Sequence, residues 1–570
     1  MTAFNNIASR RDLADFLNMP HSKLTYILFV KGVDSYYFEF EIPKKTGDPR
    51  QICAPSGDLK TVQQKLADVL WDHQKSIYEE QGIKPNISHA FEEEKSIITN
   101  AKIHRNKRFV VNVDLNDFFG SIHIGRVCGF FEKNRYFRLP HEAAVTIAQL
   151  ACYKGKLPQG APTSPIITNL ICQVLDMHLL SLAKRYKLDY TRYADDLTFS
   201  TNNKSFLEKW AEFYTELDRK IKKAGFSINE RKTRIAYRDS KQVVTGLVVN
   251  KKISVDHSYY RKVRAMAHSL YKTGAYEVDG KEGTIKQLEG RFSFIDHIDK
   301  YNNECDFMGA HNSFNLSGRE KQYQQFLFYR YFFAHEKPLI VTEGKTDVRY
   351  IKVALRSLYR EYPELIEKDS TGRFVYKVVF LKRTKRLRYF FNLSLDGADS
   401  MKNLYNFFSS NGKDKSRDYL AYFSKIAQHS PEKPVVLVFD NEIDNKSKPL
   451  HKFANHVRLS EEQKSQLSRD LFVSLIPNGN LFLLTNPLNN GDKEAEIESM
   501  FSFETRSVVL GGKTLSLASD FDVNKHYGKD HFSNYVLANY ETIDFSGFRP
   551  FLDALKSVVV GYSKEDSNQK

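Results

Sequence analysis

Two adjacent aspartates, Asp195 and Asp196, interrupt a segment that otherwise alternates between apolar and polar residues. The alternation predicts two β-strands, and the interruption predicts that the aspartates form the tight turn of a hairpin. Adjacent carboxylates repel each other unless cations neutralise them. A pair held at a turn is what two-metal phosphoryl transfer requires. Asp-Asp pairs also occur in ordinary solvated turns, so the interpretation depends on other motifs.

Two upstream segments support a catalytic interpretation. RFVVNVDLNDFFGSI predicts a buried strand at residues 109–113 that ends in Asp114, and Asp117 and Phe119 follow it. LPQGAPTSPIITNLI predicts a Gly/Pro-rich loop around Gln159 that leads into an apolar helix. A carboxylate at the end of an apolar strand is well placed to bind a metal ion.

Composition favours a nucleic-acid partner. The 570 residues include 85 Lys+Arg and 69 Asp+Glu, a formal net charge of +16, with 42 Phe and 31 Tyr. Such a chain suits phosphates and stackable bases, although a basic soluble protein of another kind would share this composition. No transmembrane-length apolar run or signal-peptide core is evident, which predicts a cytoplasmic protein without a membrane partner. The five cysteines lack CxxC spacing, which predicts reduced thiols and no zinc site.

Flanking segments supply further cations. Residues 36–56 predict a hairpin that carries Lys44, Lys45 and Arg50, and residues 11–18 predict a short amphipathic helix. Lys232 is predicted on a loop after a strand. From Ser258 a basic helix is predicted to follow a nucleic-acid backbone, with a solvated basic face as the alternative; its cations include Arg261, Lys262 and Arg264.

These segments together resemble a reverse transcriptase, with motif A at Asp114, the Gln-Gly loop at Gln159 and motif C at Asp195-Asp196. Two further elements resemble the retron family: NAxxH from Asn100 to His104, and the VTG element formed by Val244, Thr245 and Gly246. The likeness covers about residues 10–310.

The resemblance implies a right-hand polymerase of fingers, palm and thumb. It implies RNA-directed synthesis of branched multicopy satellite DNA (msDNA) from dNTPs, primed by a 2′-hydroxyl of a structured non-coding RNA (msr-msd). Asp114, Asp195 and Asp196, with the main-chain carbonyl of Leu115, would hold two Mg²⁺ ions about 3.5–4 Å apart. Lys232 would lie near the pyrophosphate leaving group. Nucleotide-binding candidates are Arg50, Asp117, Phe119 (which would block a ribose 2′-hydroxyl) and Gln159; RNA- or DNA-binding candidates are Asn100, His104, Val244, Thr245, Gly246, Arg261, Lys262 and Arg264.

The second half contains another set of acids at predicted strand ends. A buried strand ends at Glu343 and is followed by a glycine turn, and about 100 residues later an apolar strand ends at Asp440, with Glu442 beyond it. LFLLTN, residues 481–486, predicts another strand. These segments resemble a Toprim domain of the overcoming-lysogenisation-defect nucleases, in which Glu343, Asp440, Glu442 and Glu498 would hold one or two Mg²⁺ ions. Glu442 departs from the DxD pattern, and Asp444 is a nearby alternative.

The predicted architecture is α/β and multidomain, with a parallel sheet in the Toprim part. Its parts are fingers and palm (1–250), thumb (251–312), a linker and aromatic helix (313–334) and a Toprim effector domain (335–570). The resemblance implies antiphage defence by a nuclease that acts on DNA or RNA, and a second copy of the chain is a further candidate partner. Two alternatives remain: a group II intron-like polymerase, and the same polymerase with an inactive Toprim scaffold.

Overall fold

The computed structural model describes residue 4 and residues 7–43, 49–83, 86–305, 315–394, 397, 400–409, 418–489, 491–518 and 520–568. The chain divides into two compact units, Met1–His257 with Ile298–Asn302, and Ser258–His297 with Asn303–Lys570. This division falls inside the predicted thumb, so the basic helix after His257 belongs with the C-terminal half. The functional domain boundaries remain predictions.

Among its described residues, the first unit contains eight complete α-helices and eight strands. The helices are α1 (Arg10–Phe16), α2 (His21–Thr25), α3 (Gly57–Glu80), α4 (Ile97–Ile103), α5 (Ile124–Lys133), α6 (His141–Ala151), α7 (Ser164–Arg185) and α8 (Trp210–Lys223). The strands are β1 (Tyr37–Ile42), β2 (Arg50–Pro55), β3 (Phe109–Asp114), β4 (Asp189–Tyr193), β5 (Asp196–Thr201), β6 (Arg234–Tyr237), β7 (Val243–Val244) and β8 (Leu247–Val248).

A four-stranded antiparallel sheet in the order β4-β5-β3-β6 forms the centre of this unit. The predicted strand that ends in Asp114 and the predicted hairpin around Asp195 are both present. The hairpin predicted at residues 36–56 is also present, since β1 pairs with β2 from Tyr37↔Pro55 to Ile42↔Arg50. Local sequence periodicity was therefore sufficient to find the strands that carry the first set of acids.

Helix α7 corrects one expectation about membranes. Ser164–Arg185 is long and apolar enough to cross a bilayer by length and composition, although the sequence analysis found no such run. The helix is mostly buried, and Ile166, Leu170 and Leu179 lie in the hydrophobic core of the first unit. Its apolar character is explained by its place in that core.

A buried ion pair joins α7 to the hairpin beneath the two aspartates. Arg192 of β4 donates from Nε and Nη2 to the carboxylate of Asp176, at 2.8–3.1 Å, and both side chains are buried. Arg192 also donates to the carbonyl of Ala194 in the turn, at 3.3 Å. The pair therefore fixes the turn against the core helix.

Removal of one partner of this pair is expected to be costly. Asp176→Leu should lower the free energy of unfolding by about 3–5 kcal/mol, because it leaves the Arg192 charge buried without a counter-ion. Asp176→Leu combined with Arg192→Met should recover much of that loss. Chemical denaturation of the three proteins measures the difference, and equal losses in the single and double variants would contradict the assignment.

The second unit contains most of the remaining elements. Its helices are α9 (His257–Thr273), α10 (Ile285–Cys305), α11 (Gly318–Phe328), α12 (Lys345–Ser357), α13 (Lys385–Phe391), α14 (Met401–Phe408), α15 (Tyr419–Ile426), α16 (Pro449–Val457), α17 (Glu461–Asp470), α18 (Phe503–Arg506), α19 (Lys529–Ala538) and α20 (Arg549–Asn568). Its strands are β9 (Glu277–Val278), β10 (Lys281–Glu282), β11 (Leu339–Val341), β12 (Ile366–Lys368), β13 (Phe374–Tyr376), β14 (Val379–Phe380), β15 (Val435–Phe439), β16 (Phe472–Ser474), β17 (Leu481–Thr485), β18 (Thr514–Leu515) and β19 (His526–Tyr527).

A five-stranded sheet in the order β14-β11-β15-β17-β16 is the centre of the second unit. Its first four strands run parallel, and β16 is antiparallel at one edge. The two acid-bearing strands predicted to be parallel neighbours, β11 and β15, are paired. Their carboxyl ends meet at one edge, where open α/β sheets place their ligands.

The predicted aromatic helix is α11, which continues as a π-helical turn over Tyr329–Phe333. It lies in the interior of the second unit. Phe326 stacks on Phe292 of α10 at a centroid distance of 4.9 Å, and Phe328 contacts Phe408 of α14, also at 4.9 Å. The helix thus packs α10 against the C-terminal helices.

Candidate active sites

The first site lies at the end of β3 and in the β4–β5 turn. Asp114, the last residue of β3, is opposite Asp196 in the strand register. Ala194 and Asp195 form the two-residue turn, in which Ala194 has a φ of 55°. The backbone N–H of Leu115 donates to the carbonyl of Asp195 at 3.1 Å, which fixes the turn beside the end of β3. Three predicted carboxylates therefore lie together.

Electrostatics at this site favour a cation. Burial, together with the charges of Asp195 and Asp114, raises the pKa of Asp196 to about 6, although its side chain still reaches solvent at the mouth of the site. Burial also raises the pKa of Asp195, and Asp114 adds to that rise. Carboxylates with raised pKa values lack sufficient positive charge around them.

Lys232 provides part of that positive charge. Its Nζ lies 3.0 Å from both carboxylate oxygens of Asp114, and the Asn229 amide donates to Asp114 Oδ1 at 3.1 Å. The predicted lysine is therefore at the site, bound to an acid. Arg231 and Arg234, which the sequence analysis did not select, also line the cavity of about 380 Å³ that contains Asp114 and Asp196.

The VTG element forms a turn on the wall of the same cavity. Thr245 and Gly246 connect β7 to β8, line the cavity and have φ angles of 46° and 82°. Positive φ at both central residues is the geometry of a type I′ turn, which glycine adopts readily and a β-branched threonine does not. Val244 is instead buried. Any nucleic-acid contact of this element therefore falls to Thr245 and Gly246.

Two of the nucleotide-binding candidates, Arg50 and Gln159, lie on or against strand β2. Arg50 is exposed at the start of β2, near enough for its charge to offset a small part of the rise that burial causes in the pKa of Asp195. The N–H of Cys53 donates to the carbonyl of Gln159 at 2.9 Å, and a Cβ on Gly160 would meet the Cys53 carbonyl at 2.8 Å. The Gln-Gly loop therefore lies directly against β2 and requires glycine there.

Asp117 and Phe119 follow β3 on the same loop. Asp117 is exposed with a φ of 38°, and the partly exposed Phe119 ring packs edge-on against Phe118 at 5.4 Å. Lys44 and Lys45, the other cations predicted for the hairpin, lie outside the described residues.

The positions of Asn100 and His104 rule out direct contact between their side chains and RNA. Both side chains are fully buried. His104 bonds through Nδ1 to Ser200 Oγ at 2.8 Å and through Nε2 to Thr191 Oγ1 at 2.7 Å, and burial lowers its pKa to about 3. Asn100 accepts a hydrogen bond from the Thr191 hydroxyl. The NAxxH motif therefore ties α4 to β4 and β5, which corrects the predicted role.

The predicted basic helix is α9, in the second unit. Arg261, Lys262 and Arg264 are all exposed on it. Their exposure is compatible with phosphate contacts.

The second site lies at the carboxyl ends of β11 and β15. The backbone N–H of Asp440 donates to Glu343 Oε1 at 3.1 Å. Asp347 accepts from the Gly344 N–H at 2.8 Å and so caps α12. A cavity of about 410 Å³ is lined by these acids together with Lys529 and Asp530.

The carboxylates of the second site also lack enough positive charge around them to neutralise them. Burial raises the pKa values of Glu343, Asp347, Asp440 and Glu498, and the like charges of Glu343 and Asp347 raise the Asp440 pKa further. Lys529 opposes this, since its Nζ lies 3.1 Å from Glu498 Oε2. Glu498 is completely buried, and its Oε1 has no hydrogen-bond partner in the described structure.

Neither Glu442 nor Asp444 occupies the position of the second carboxylate ligand in the DxD pattern. Glu442 is buried and accepts from Lys448 Nζ at 2.6 Å. It does not line the cavity, although its charge contributes to the raised pKa of Glu343. Asp444 is exposed and lines a different cavity, with His451. Asp347, which ends the EGxxD pattern that begins at Glu343, lines the cavity, and Lys529, which does so too, was not predicted from the sequence.

Both carboxylate clusters suit Mg²⁺. Their donors are hard carboxylate oxygens, which Mg²⁺ prefers, and several of them are buried close to one another, so a bound cation would offset their mutual repulsion. At the first site the donors are Asp114, Asp195 and Asp196. At the second they are Glu343, Asp347 and Asp440, with the unpartnered Glu498 oxygen nearby.

A third group of potential ligands was not evident from cysteine spacing. Cys128 and Glu132 lie one turn apart on α5, and with His141 at the start of α6 their donor atoms lie within 4.8 Å of one another. The prediction that the chain has no zinc site therefore remains untested.

Comparison with known proteins bears on the first half of the chain. The family model described as "Reverse transcriptase (RNA-dependent DNA polymerase)" matches residues 42–310. The retron Ec86 reverse transcriptase of Escherichia coli is 34% identical over 278 residues, which cover 48% of this chain and 80% of that protein. The retron Mx162 reverse transcriptase of Myxococcus xanthus is 33% identical over 326 residues, which cover 51% of this chain and 64% of that protein.

Solved structures give weaker likenesses. Telomerase from Candida albicans matches with 10% identity and a TM-score of 0.31, covering 51% of this chain and 59% of that chain. A foamy viral protease-reverse transcriptase matches with 13% identity and a TM-score of 0.25, covering 45% and 27%. Nothing further follows from likenesses at this level.

Proposed function

Since this chain belongs to the retron reverse transcriptase family, we propose that it synthesises msDNA with a structured non-coding RNA as both primer and template. The observation that carries the proposal is the convergence of Asp114, Asp195 and Asp196 at one sheet edge. Mg²⁺ bound by such carboxylates supplies activation of the primer hydroxyl and charge stabilisation at the phosphates.

The surrounding residues have separable roles in this proposal. Lys232, which pairs with Asp114 in this structure, is placed to meet the pyrophosphate once cations neutralise the acids. Arg50, exposed at the start of β2 and near enough for its charge to act on Asp195, would bind the triphosphate. The buried Arg192–Asp176 pair positions the turn without touching substrate.

The polymerase proposal is tested with purified protein, dNTPs and RNA transcribed from the DNA next to the gene. We expect labelled DNA that stays covalently attached to RNA on a denaturing gel. Its synthesis should stop when a chelator removes Mg²⁺. DNA synthesis that does not depend on added RNA would contradict the proposal.

Phe119 is proposed to exclude ribonucleotides. Phe119→Ala should weaken discrimination against ribonucleotides by about tenfold or more, because the smaller side chain leaves room for a 2′-hydroxyl. The measurement is primer extension with matched ribo- and deoxyribonucleotides, and Phe118→Leu provides a control at the adjacent buried ring. Unchanged discrimination would assign the role to another residue.

For the second half we propose a Mg²⁺-dependent Toprim-type nuclease effector in antiphage defence. The support is Glu343 and Asp440 at the carboxyl ends of neighbouring parallel strands, with Asp347 at the start of α12 and Lys529 lining the same cavity. Lys529 provides a fixed positive charge that can stabilise a phosphate as negative charge develops on it.

The alternative is a scaffold without nuclease activity, and the arrangement of Glu442 favours it. The ion pair with Lys448 occupies the carboxylate that the DxD pattern would use as a ligand. Incubation of msDNA-free protein with Mg²⁺ and generic DNA or RNA distinguishes the two. Metal-dependent cleavage supports the nuclease, whereas stable binding without cleavage supports the scaffold.

A further inference from the structure

A small basic cavity lies within the second unit, where α9 meets two helices of the C-terminal half. Its volume is about 290 Å³. The lining residues that matter are Arg261, Arg264, His268 and Tyr271 of α9, Gln322 of α11 and Tyr422 of α15. We call this cavity the α9 pocket.

The α9 pocket carries unneutralised positive charge. Arg261, Arg264 and His268 are spaced i, i+3 and i+7, so they share one face of the helix. All three are exposed. Within the described parts of the chain, neither guanidinium has a carboxylate within 4 Å, and Arg264 instead lies over the Tyr260 ring at 5.8 Å. An anion is therefore the ligand that this face would attract.

Tyr271 contributes a second, independent feature. It is 2% exposed, and its hydroxyl has no hydrogen-bond partner in the described structure. Its ring is fixed by Tyr329 at 4.9 Å and Phe423 at 5.0 Å. A buried hydroxyl without a partner is unfavourable, and a ligand oxygen in the pocket would remove that cost.

Tyr422 and Gln322 make the pocket suitable for more than a bare anion. Tyr422 is 39% exposed, a large aromatic surface at the rim, and aromatic rings of this kind stack on nucleobases. Gln322 offers an amide that can donate to and accept from a base edge. Cations, a buried hydroxyl and an exposed ring together match a phosphate joined to a base.

We propose that the α9 pocket binds a phosphate of single-stranded nucleic acid and stacks the adjoining base on Tyr422. Arg261 and Arg264 neutralise the phosphate, and the Tyr271 hydroxyl donates to one of its oxygens. This deepens the proposed polymerase function, on which it rests for the presence of a strand near α9. Because Tyr422 and Gln322 belong to helices of the C-terminal half, the bound strand would contact that half directly.

The consequence is a physical connection between the nucleic acid and the C-terminal half. A strand that binds the arrangement of α9, α11 and α15 seen here stabilises that arrangement, and its loss removes this stabilisation. Such coupling is reciprocal, so a change that moves α15 would also weaken strand binding. The pocket therefore offers a route by which the effector half can sense the DNA.

A local fluorescent reporter can test the pocket without interference from the polymerase site. The chain has two tryptophans, Trp71 and Trp210, both in the first unit. Tyr422→Trp adds a third at the pocket, and the unsubstituted protein gives the background signal. The full-length protein, stripped of nucleic acid and held in chelator, is titrated with a short 5′-phosphorylated single-stranded DNA, adenosine monophosphate and inorganic phosphate.

We expect the oligonucleotide to quench the added tryptophan, and Tyr271→Phe in the same background to weaken its binding by about tenfold. Arg264→Gln should weaken it and reduce its salt dependence. Tyr329→Phe is the matched control, since it removes a buried hydroxyl bonded to the Leu270 carbonyl instead. Tyr271→Phe should fold normally, because only an unpartnered hydroxyl is lost.

Unchanged oligonucleotide binding in both Tyr271→Phe and Arg264→Gln would overturn the proposal. Quenching by adenosine monophosphate but not by the oligonucleotide would show that the pocket binds a mononucleotide and not a nucleic-acid strand. The assay contains no metal and measures no synthesis, so failure here is distinguishable from failure of the polymerase assignment. If the protein made no DNA but the oligonucleotide still quenched the tryptophan, only the polymerase assignment would be contradicted.

Discussion

Asp195→Asn is expected to lower DNA synthesis by at least about 1,000-fold while RNA binding stays close to normal. The substitution keeps the size of the side chain but removes one of three carboxylates that converge at the end of β3. Burial and Asp114 already raise the pKa of Asp195, which shows a site that needs cations. RNA affinity, by contrast, comes from basic and aromatic surfaces.

The measurement is msDNA yield in cells together with primer extension by the purified protein. Asp189→Asn is the matched control, because Asp189 begins the same hairpin at β4 and pairs with Lys107, away from the acids. Normal synthesis with Asp189→Asn would show that the effect is specific to the site. Wild-type msDNA levels with Asp195→Asn would remove Asp195 from the catalytic set.

The first site was largely predictable because its signals are local. An apolar strand that ends in an acid and an alternating segment broken by two acids specify β3 and the β4–β5 hairpin without distant contacts. The register that places Asp114 opposite Asp196 then follows from pairing of β3 with β5. The parallel neighbours β11 and β15 were predictable for the same reason, since each acid follows a short buried strand.

The features that sequence patterns did not predict depend on residues that are far apart in the chain. The Arg192–Asp176 pair joins a strand to a helix, and neither residue lies in a pattern that requires burial. Lys529 reaches the second site from the start of α19, nearly two hundred residues after Glu343. His104 was predicted to contact RNA because it ends the NAxxH element, but Thr191 and Ser200 satisfy both of its ring nitrogens inside the sheet.

The grouping of α9 with the C-terminal half was also outside the reach of sequence patterns. Charge identified the helix, but only packing shows that Tyr329 of the π-helical turn donates to the Leu270 carbonyl and that Phe423 contacts the Tyr271 ring. The helix that resembles a polymerase thumb is thus built into the unit that carries the second acidic site. This placement makes it informative to separate, by mutation, polymerase activity from the activity proposed for the second site.

Glu343→Gln is expected to abolish phage protection and effector toxicity while msDNA yield stays normal. Glu343 lies beside Asp440 at the end of β11; burial raises the pKa of both carboxyl groups, and the charge of Glu343 raises that of Asp440 further. The glutamine preserves volume but removes a hard anionic ligand, and Mg²⁺ sites with few protein ligands tolerate such losses poorly. Asp440→Asn should behave in the same way. The polymerase acids lie in the other compact unit, so their chemistry should be unaffected.

Both quantities are measured on the same strains, as msDNA yield and efficiency of phage plating. Glu336→Gln is the matched control. Glu336 is exposed shortly before β11, so its substitution makes the same chemical change outside the cavity. Glu442→Gln should be milder than Glu343→Gln, since Glu442 is already paired with Lys448 and does not line the cavity. Full protection with Glu343→Gln would show that the second half acts by binding alone. Loss of msDNA in the same variant would instead show that the two halves cannot be separated, because an intact second site would then be required for synthesis itself.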